Sequence, residues 1–254
     1  MQDVMCQVKS VFFHHALDSI KFEKSWVGIA RKALISAKYY VDDCQSPRLY
    51  LIINNDSEAI VFGECTDSRV MKCLVNLLQY HQIMIIMADE TMTEKLSAAS
   101  SFSLLRRHCF ELVKYDPDMG LKLPNGFTVE PIGLALAQRI SSEIDPDFSL
   151  YWPIPKDFVD ADGDGYCLMR GNTIISCVWS CYPYHQYTDM MVATRRDERN
   201  KGFATYLSQY FILSMLFEKR IPCWSCYDNN DAAIYLSYKL GFKKTQSYYF
   251  LFPV

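Results

Sequence analysis

No window of this 254-residue chain holds the roughly 18 apolar residues of a membrane-spanning helix. It also lacks any long run of like charge. Its 26 basic and 29 acidic residues leave a net charge of -3, which offers no footprint for nucleic acid or for an anionic membrane surface. The first ten residues, MQDVMCQVKS, lack a basic segment followed by an apolar stretch and a small-residue cleavage site. Together these absences predict a soluble, cytoplasmic protein whose partner is a small molecule.

Metal-binding patterns are missing as well. Cys223-x-x-Cys226 has no second pair at matching spacing, and on a strand its two thiols point to opposite faces. Cys177 and Cys181 could join it only from an adjacent strand. The run Asp160-Ala161-Asp162-Gly163-Asp164-Gly165 opens like a calcium loop, yet the twelfth position, where a bidentate Glu is needed, is Gly171. His14 and His15 are sequence neighbours, which diverge on a helix, so one is read as core and the other as surface. No metal is expected. The ten cysteines are scattered through a chain too large to need disulfide staples. Cys73, Cys109, Cys167, Cys177 and Cys223 are read as buried thiols acting as small hydrophobes.

What the chain does have is apolar mass: half of its residues are hydrophobic, enough for one large domain or two small ones. Residues 10 to 41 place apolar side chains at helical intervals, broken near Lys21, and predict two amphipathic helices. Leu49–Ile53 and Ala59–Phe62, joined by Asn54-Asn55-Asp56-Ser57, predict a β-hairpin. A helix capped by Asp67, a buried strand over Ile83–Met87, a helix from about Glu90 and a strand over His108–Tyr115 complete an α/β domain, residues 1–120. The turn-rich Asp116-Pro117-Asp118-Met119-Gly120 ends it.

Residues 121–254 form the second domain. A strand at Phe127–Val129 and a helix over Ile132–Ile144 lead to a segment whose prolines, Pro146, Pro153 and Pro155, read as a loop. Its aromatics, Phe148, Tyr151, Trp152 and Phe158, either form an apolar acceptor pocket or cover the sheet. A hairpin turns at Arg170-Gly171-Asn172. Then come the strand Thr188–Thr194, the charge-dense Arg195–Lys201, and Gly202-Phe203-Ala204 opening a long apolar helix. A strand that feeds a helix N-terminus through a turn free of bulky side chains can cradle an anion, because the first helical N–H groups are unpaired and lie at the positive end of the dipole. We read this turn as a pyrophosphate cradle. Strand Cys223–Cys226, a capped helix from Asn230 to Leu240 closed by Gly241, and strand Ser247–Phe252 finish the chain.

Arg199-x-x-Gly202-x-Ala204, followed by Asn230-x-x-Ala233-x-x-Leu236-x-x-Lys239-Leu240-Gly241-Phe242, resembles the GNAT superfamily of acyl-CoA-dependent N-acyltransferases. The likeness covers residues 124 to 252. With Ala193-Thr194, Trp224-Ser225-Cys226 and an N-terminal α/β domain, it is closer to a bacterial subgroup. The resemblance implies a mixed α/β fold (α+β), with a mostly antiparallel twisted sheet flanked by helices in the C-terminal domain. It implies acetyl-CoA as cosubstrate. Main-chain N–H groups of Arg199, Asn200, Lys201, Gly202, Phe203, Ala204 and Thr205 would hold the pyrophosphate, and Lys201 would reach a phosphate. Val192, Ala193 and Thr194 would pair with the pantetheine arm, while Asn230 and Ala233 would help to place it.

The implied reaction moves an acetyl group directly from acetyl-CoA to a primary amine of a small molecule or peptide. The family often carries a tyrosine acid four residues before the Gly-Phe pair, where this chain has Ser237, so Tyr235, Tyr238 or water stand as alternatives. A Glu often found on the motif strand is Thr188 here, which leaves Asp189, His185, Glu198 and Asp228 as candidate bases. Two other readings stay open: an acyl-CoA-binding module without turnover, and an interaction protein whose N-terminal domain forms a homodimer surface.

Overall fold

The computed structural model describes residues 5–9, 37–53, 58–80, 84–87, 90–99, 102–116, 122–123, 125–160, 163–181 and 186–253. In chain order the elements are β1 (Cys6–Val8), β2 (Lys38–Val41), β3 (Leu49–Ile53), β4 (Glu58–Gly63), α1 (Ser68–Tyr80), β5 (Met84–Met87), α2 (Glu90–Ala99) and β6 (Phe102–Leu112). They continue as β7 (Thr128–Pro131), α3 (Leu134–Glu143), α4 (Phe148–Tyr151), α5 (Pro155–Asp160), β8 (Gly165–Arg170), β9 (Thr173–Ser180) and β10 (Tyr187–Thr194). After these come α6 (Phe203–Phe217), β11 (Ile221–Tyr227), α7 (Asp231–Lys239) and β12 (Phe242–Pro253). The chain divides into two compact units, residues 1–109 with 226–230 and 245–254, and residues 110–225 with 231–244.

In the first unit the strands run in the order β1-β2-β3-β4-β5-β12-β6. β3 and β4 form the expected antiparallel pair, Leu49 opposite Gly63 and Ile53 opposite Ala59. β4 and β5 are parallel, so a crossover must join them, and α1 supplies it. Asp67 caps that helix, its Oδ1 accepting the Arg69 N–H at 2.8 Å. Val70, Leu74 and Leu78 recur at four-residue spacing and bury against Leu49, Leu51, Val61 and Leu251.

Two expectations change here. Residues 38–41 form a strand rather than a helix end, because Lys-Tyr-Tyr-Val has strong β propensity and alternately buries Tyr39 and Val41 between β1 and β3. The helices read over the preceding residues, including His14 and His15, lie in 10–36, outside the described residues. β6 starts at Phe102, six residues before the expected strand. The charged pair Arg106-Arg107 does not end it, since the Arg107 guanidinium lies over the rings of Tyr227, Phe250 and Tyr248, at 4.7, 5.8 and 5.9 Å.

The second unit is the mixed, mostly antiparallel sheet with flanking helices that the resemblance implies. Its strand order is β11-β10-β9-β8-β7. The pairs β7·β8, β8·β9 and β9·β10 are antiparallel, whereas β10·β11 is parallel and connected through α6. One face of the sheet packs Cys167, Cys177 and Trp179 against α3 residues Leu136, Ala137 and Ile140. On the other face Tyr166 meets α6, its ring 6.0 Å from Phe211 and its hydroxyl 3.0 Å from Ser214 Oγ.

The expected loop after residue 146 instead forms α4 and α5. Pro155 takes the first helical position, where its missing N–H removes no intrahelical bond. Phe148, Trp152 and Phe158 are buried there, with ring centroids 5.2 to 5.5 Å apart along the pairs Trp152–Phe158, Phe148–Phe158 and Phe148–Trp179. They therefore cover the sheet. The acidic run ahead of β8 is ion-paired at both ends, Asp160 with Lys156 at 2.5 Å and Asp164 with Arg220. Among the cysteines, Cys109, Cys167, Cys177 and Cys223 are buried as expected, but Cys73 is only partly covered. Burial pushes the Cys167 thiol up to about 12 and raises that of Cys177 well above its ordinary value, so both are inert hydrophobes. Among the described residues no helix is long and apolar enough to cross a membrane.

Candidate functional site

β10 and β11 pair over only three rungs, Tyr187 with Ile221, Thr188 with Pro222 and Asp189 with Cys223. The Ile221 N–H donates to Gln186 O at the start of this stretch, which puts the main-chain nitrogen of Pro222 on the side of β11 away from β10. Beyond Asp189, β10 continues against β9 alone through Met190–Thr194, so the two parallel strands fork. The Cys181 N–H donates to Asp189 O and the Arg195 N–H to Ile175 O, both at 2.9 Å. These two bonds bracket the antiparallel ladder and set its phase. Asp189, Met191 and Ala193 direct their main-chain groups to β9, and Met190, Val192 and Thr194 direct theirs into the fork. Ser176 Oγ adds a bond to Ala193 O and one to Thr194 Oγ1, each 2.8 Å, which locks the end of the strand.

At that end Arg199 Nε donates to Thr194 O at 3.2 Å, tying the following loop to β10. Asn200 and Gly202 both take left-handed backbone, φ 63° and 85°. Gly202 caps α6, with the Tyr206 N–H bonded to its carbonyl at 3.0 Å. A Cβ built at Gly202 would meet nothing within 4 Å, so space is open at the mouth of the helix. The first N–H groups of α6, on Phe203, Ala204 and Thr205, have no intrahelical acceptor and open toward that mouth. The loop is braced from behind by Glu198, whose carboxylate accepts from Lys201 at 2.8 Å and from both Arg170 terminal nitrogens at 2.9 and 3.3 Å. Lys201 first, then Arg170, hold its carboxyl below the usual range. Arg170 in turn lies 4.7 Å over the Phe127 ring, which packs 5.0 Å from Phe203. Glu198 is thus an ionised brace, and Lys201 is committed to it.

At the fork itself Asp189 is buried, and its Oδ2 accepts from Ser225 Oγ across the strands at 3.0 Å. Thr188, on the opposite face, accepts from Arg220 Nη2 at 2.5 Å. Burial lowers the pKa of that guanidinium. On α7, Ser237 is fully buried and spends its hydroxyl on Ile234 O at 2.8 Å. Tyr235 and Tyr238 are 69% and 52% exposed, and Tyr238 sits edge-on to Phe110 at 5.7 Å. Ala233 is half-buried on the same helix. Asn230 and Asp228 belong to the other unit, their N–H groups bonded to Tyr227 O and Arg106 O, each at 3.0 Å. His185 lies outside the described residues.

One strand thus brings together a fork lined by main-chain groups, a buried carboxylate and an open helix N-terminus. A family model for GNAT acetyltransferases matches residues 23–251. The chain belongs to this family. An uncharacterized N-acetyltransferase of Bacillus subtilis, YdfB, is 26% identical over 144 residues, covering 57% of this chain and 55% of that relative. The chain therefore spans about half the length of this curated relative. A GCN5-related N-acetyltransferase-like protein from Streptococcus suis superposes with a TM-score of 0.64 at 20% identity, covering 85% of this chain and 88% of its own. A GCN5-related N-acetyltransferase from Kribbella flavida gives 0.64 at 13% identity, with 92% and 96% covered. At these identities the likeness is one of fold.

No sequence motif marks a role for Ser225, Ser176, Arg170 or Arg220 in this GNAT chain. Ser225 had one legible signal, since strand alternation puts it on the same face as Cys223. Nothing in the sequence pairs Arg170 with Glu198, 28 residues apart. Among the described residues no group of three or more His, Cys, Asp or Glu stands close enough to hold a metal ion.

Proposed function

We propose that the chain is an N-acetyltransferase that moves an acetyl group from acetyl-CoA to a primary amine by direct attack. The observation that carries this is the fork. Past Asp189 the main-chain groups of Val192 and Thr194 turn into a gap, and the same strand leads straight to the open N-terminus of α6. The residues present fit the donor: the left-handed backbone at Gly202 and the clear space before it leave room for a pyrophosphate at the main-chain N–H groups of Arg199 to Thr205. The donor supplies an activated thioester. Main-chain N–H groups on β10 would polarise its carbonyl. Asp189 would orient the amine and take up its proton. Ser237 is unsuited to protonating the thiolate, because its hydroxyl is buried and spent within the helix; a thiol of pKa about 8.5 needs little acid help, and water would serve.

The buried, back-bonded Ser237 equally favours a second reading, an acyl-CoA-binding module without turnover. Calorimetric titration with acetyl-CoA, followed by thiol release across a panel of amines, separates them. Tight binding with sustained release supports the transferase, tight binding without release supports the module, and no binding rejects both.

A further inference from the structure

We propose that Ser225 is a positioning residue for acetyl transfer, holding the Asp189 carboxylate in place at the fork of β10 and β11; this rests on the transferase reading above. Asp189 and Cys223 form the last rung. Ser225 lies two residues farther along β11, on the same face by strand alternation, about 7 Å beyond that rung. From there its Oγ reaches back to Asp189 Oδ2 at 3.0 Å. The bond therefore spans the first step of the opening, where the strands no longer share main-chain bonds. Asp189 and Ser225 are each 6% exposed.

A buried carboxylate needs donors to stay charged, and a hydroxyl donor both favours the ionised form and fixes which oxygen faces away from it. The groups that the register sets beside Asp189 are thiols, Cys223 on β11 and Cys181 on β9. A thiol is a weak donor, so the hydroxyl is the stronger directional anchor of the three. With Oδ2 held by Ser225, the carboxylate plane is set relative to β10. The reacting amine then meets a carboxylate in a single orientation.

The test uses the full chain with acetyl-CoA and the best amine from the panel, comparing wild type with Ser225→Ala and Ser225→Thr. Losing a hydrogen bond to a charged group predicts a fall in kcat of about ten- to hundred-fold for Ser225→Ala. KM for acetyl-CoA and the thermal shift it induces stay at wild-type values, and Ser225→Thr, which keeps the hydroxyl, recovers kcat to within about three-fold. Should Ser225→Ala not fold, Ser225→Cys, nearly isosteric with a weak donor, takes its place with the same expected loss. Wild-type kcat in Ser225→Ala, or equal losses in the alanine and threonine variants, would overturn the proposal. So would a loss matched by weaker acetyl-CoA binding, which marks a tie that merely shapes the fork. Absence of thiol release by the wild-type protein sinks the transferase reading and this proposal with it, whereas release unaffected by Ser225→Ala sinks this proposal alone.

Discussion

Glu198 Oε2 lies 2.8 Å from Lys201 Nζ, three residues along the same loop, while Arg170 grips the other side of the carboxylate from β8. Both cations lower its pKa in the folded chain. Such a group stabilises the fold above its unfolded pKa, and that contribution is lost as pH falls through the lower folded value. The melting temperature of wild type should therefore exceed that of Glu198→Gln from neutral pH down to about pH 5, and the gap should close below the ordinary glutamate value of about 4.3. Thermal melts from pH 3 to 7 check this; a gap that persists unchanged at pH 3 contradicts it.

The two left-handed glycines of the motif segments differ in their surroundings. At Gly202 an added Cβ meets open space, so Gly202→Ala should cost only backbone strain, about 1–2 kcal/mol. Gly241, at φ 90°, would drive a Cβ into the Lys114 carbonyl oxygen, so overpacking adds to the strain and the loss should reach about 2–5 kcal/mol. Denaturant unfolding of the two variants gives the order. Calorimetry adds a second contrast, since the Gly202 variant alone should weaken acetyl-CoA binding.

Asp189→Asn keeps the shape of the side chain and can still accept from Ser225, but it cannot take a proton. Its kcat should fall by about a hundred-fold or more with donor binding intact. Steady-state kinetics at saturating acetyl-CoA measures this, and a variant as fast as wild type removes Asp189 from the mechanism.

Tyr235→Phe and Tyr238→Phe should each keep kcat within about two-fold, because a true general acid contributes about a hundred-fold or more. Both residues are exposed, and water at the surface is an equal donor. A hundred-fold loss in either variant would make that tyrosine the acid.

Much of the local structure around the candidate site was legible because its signals are contiguous. A strand, a charged turn and Gly202 before a periodic helix are contiguous, and the structure arranges them as β10, a left-handed loop and α6. The short helices α4 and α5 were not legible. Pro146, Pro153 and Pro155 read as breakers, yet Pro155 begins a helix, and the burial of Phe148 against Phe158 and Trp179 outweighs weak local propensity. The Arg106-Arg107 pair hid the first half of β6 for a similar reason, since the rings that accommodate Arg107 come from residues 227 to 250. The Asp189–Ser225 bond depends on a strand register, and register is a tertiary property.

The phase of β10 separates two inheritances that usually travel together. What it turns toward the fork are peptide groups, two residues or about 7 Å apart, while the side chains of Met191 and Ala193 serve the helix-covered core. Substitutions along this strand can therefore retune packing without rewriting how it would grip an extended, amide-bearing arm. Donor recognition here would be carried by the rhythm of the backbone, which point mutation cannot easily erase, and specificity for the acceptor would be left free to drift.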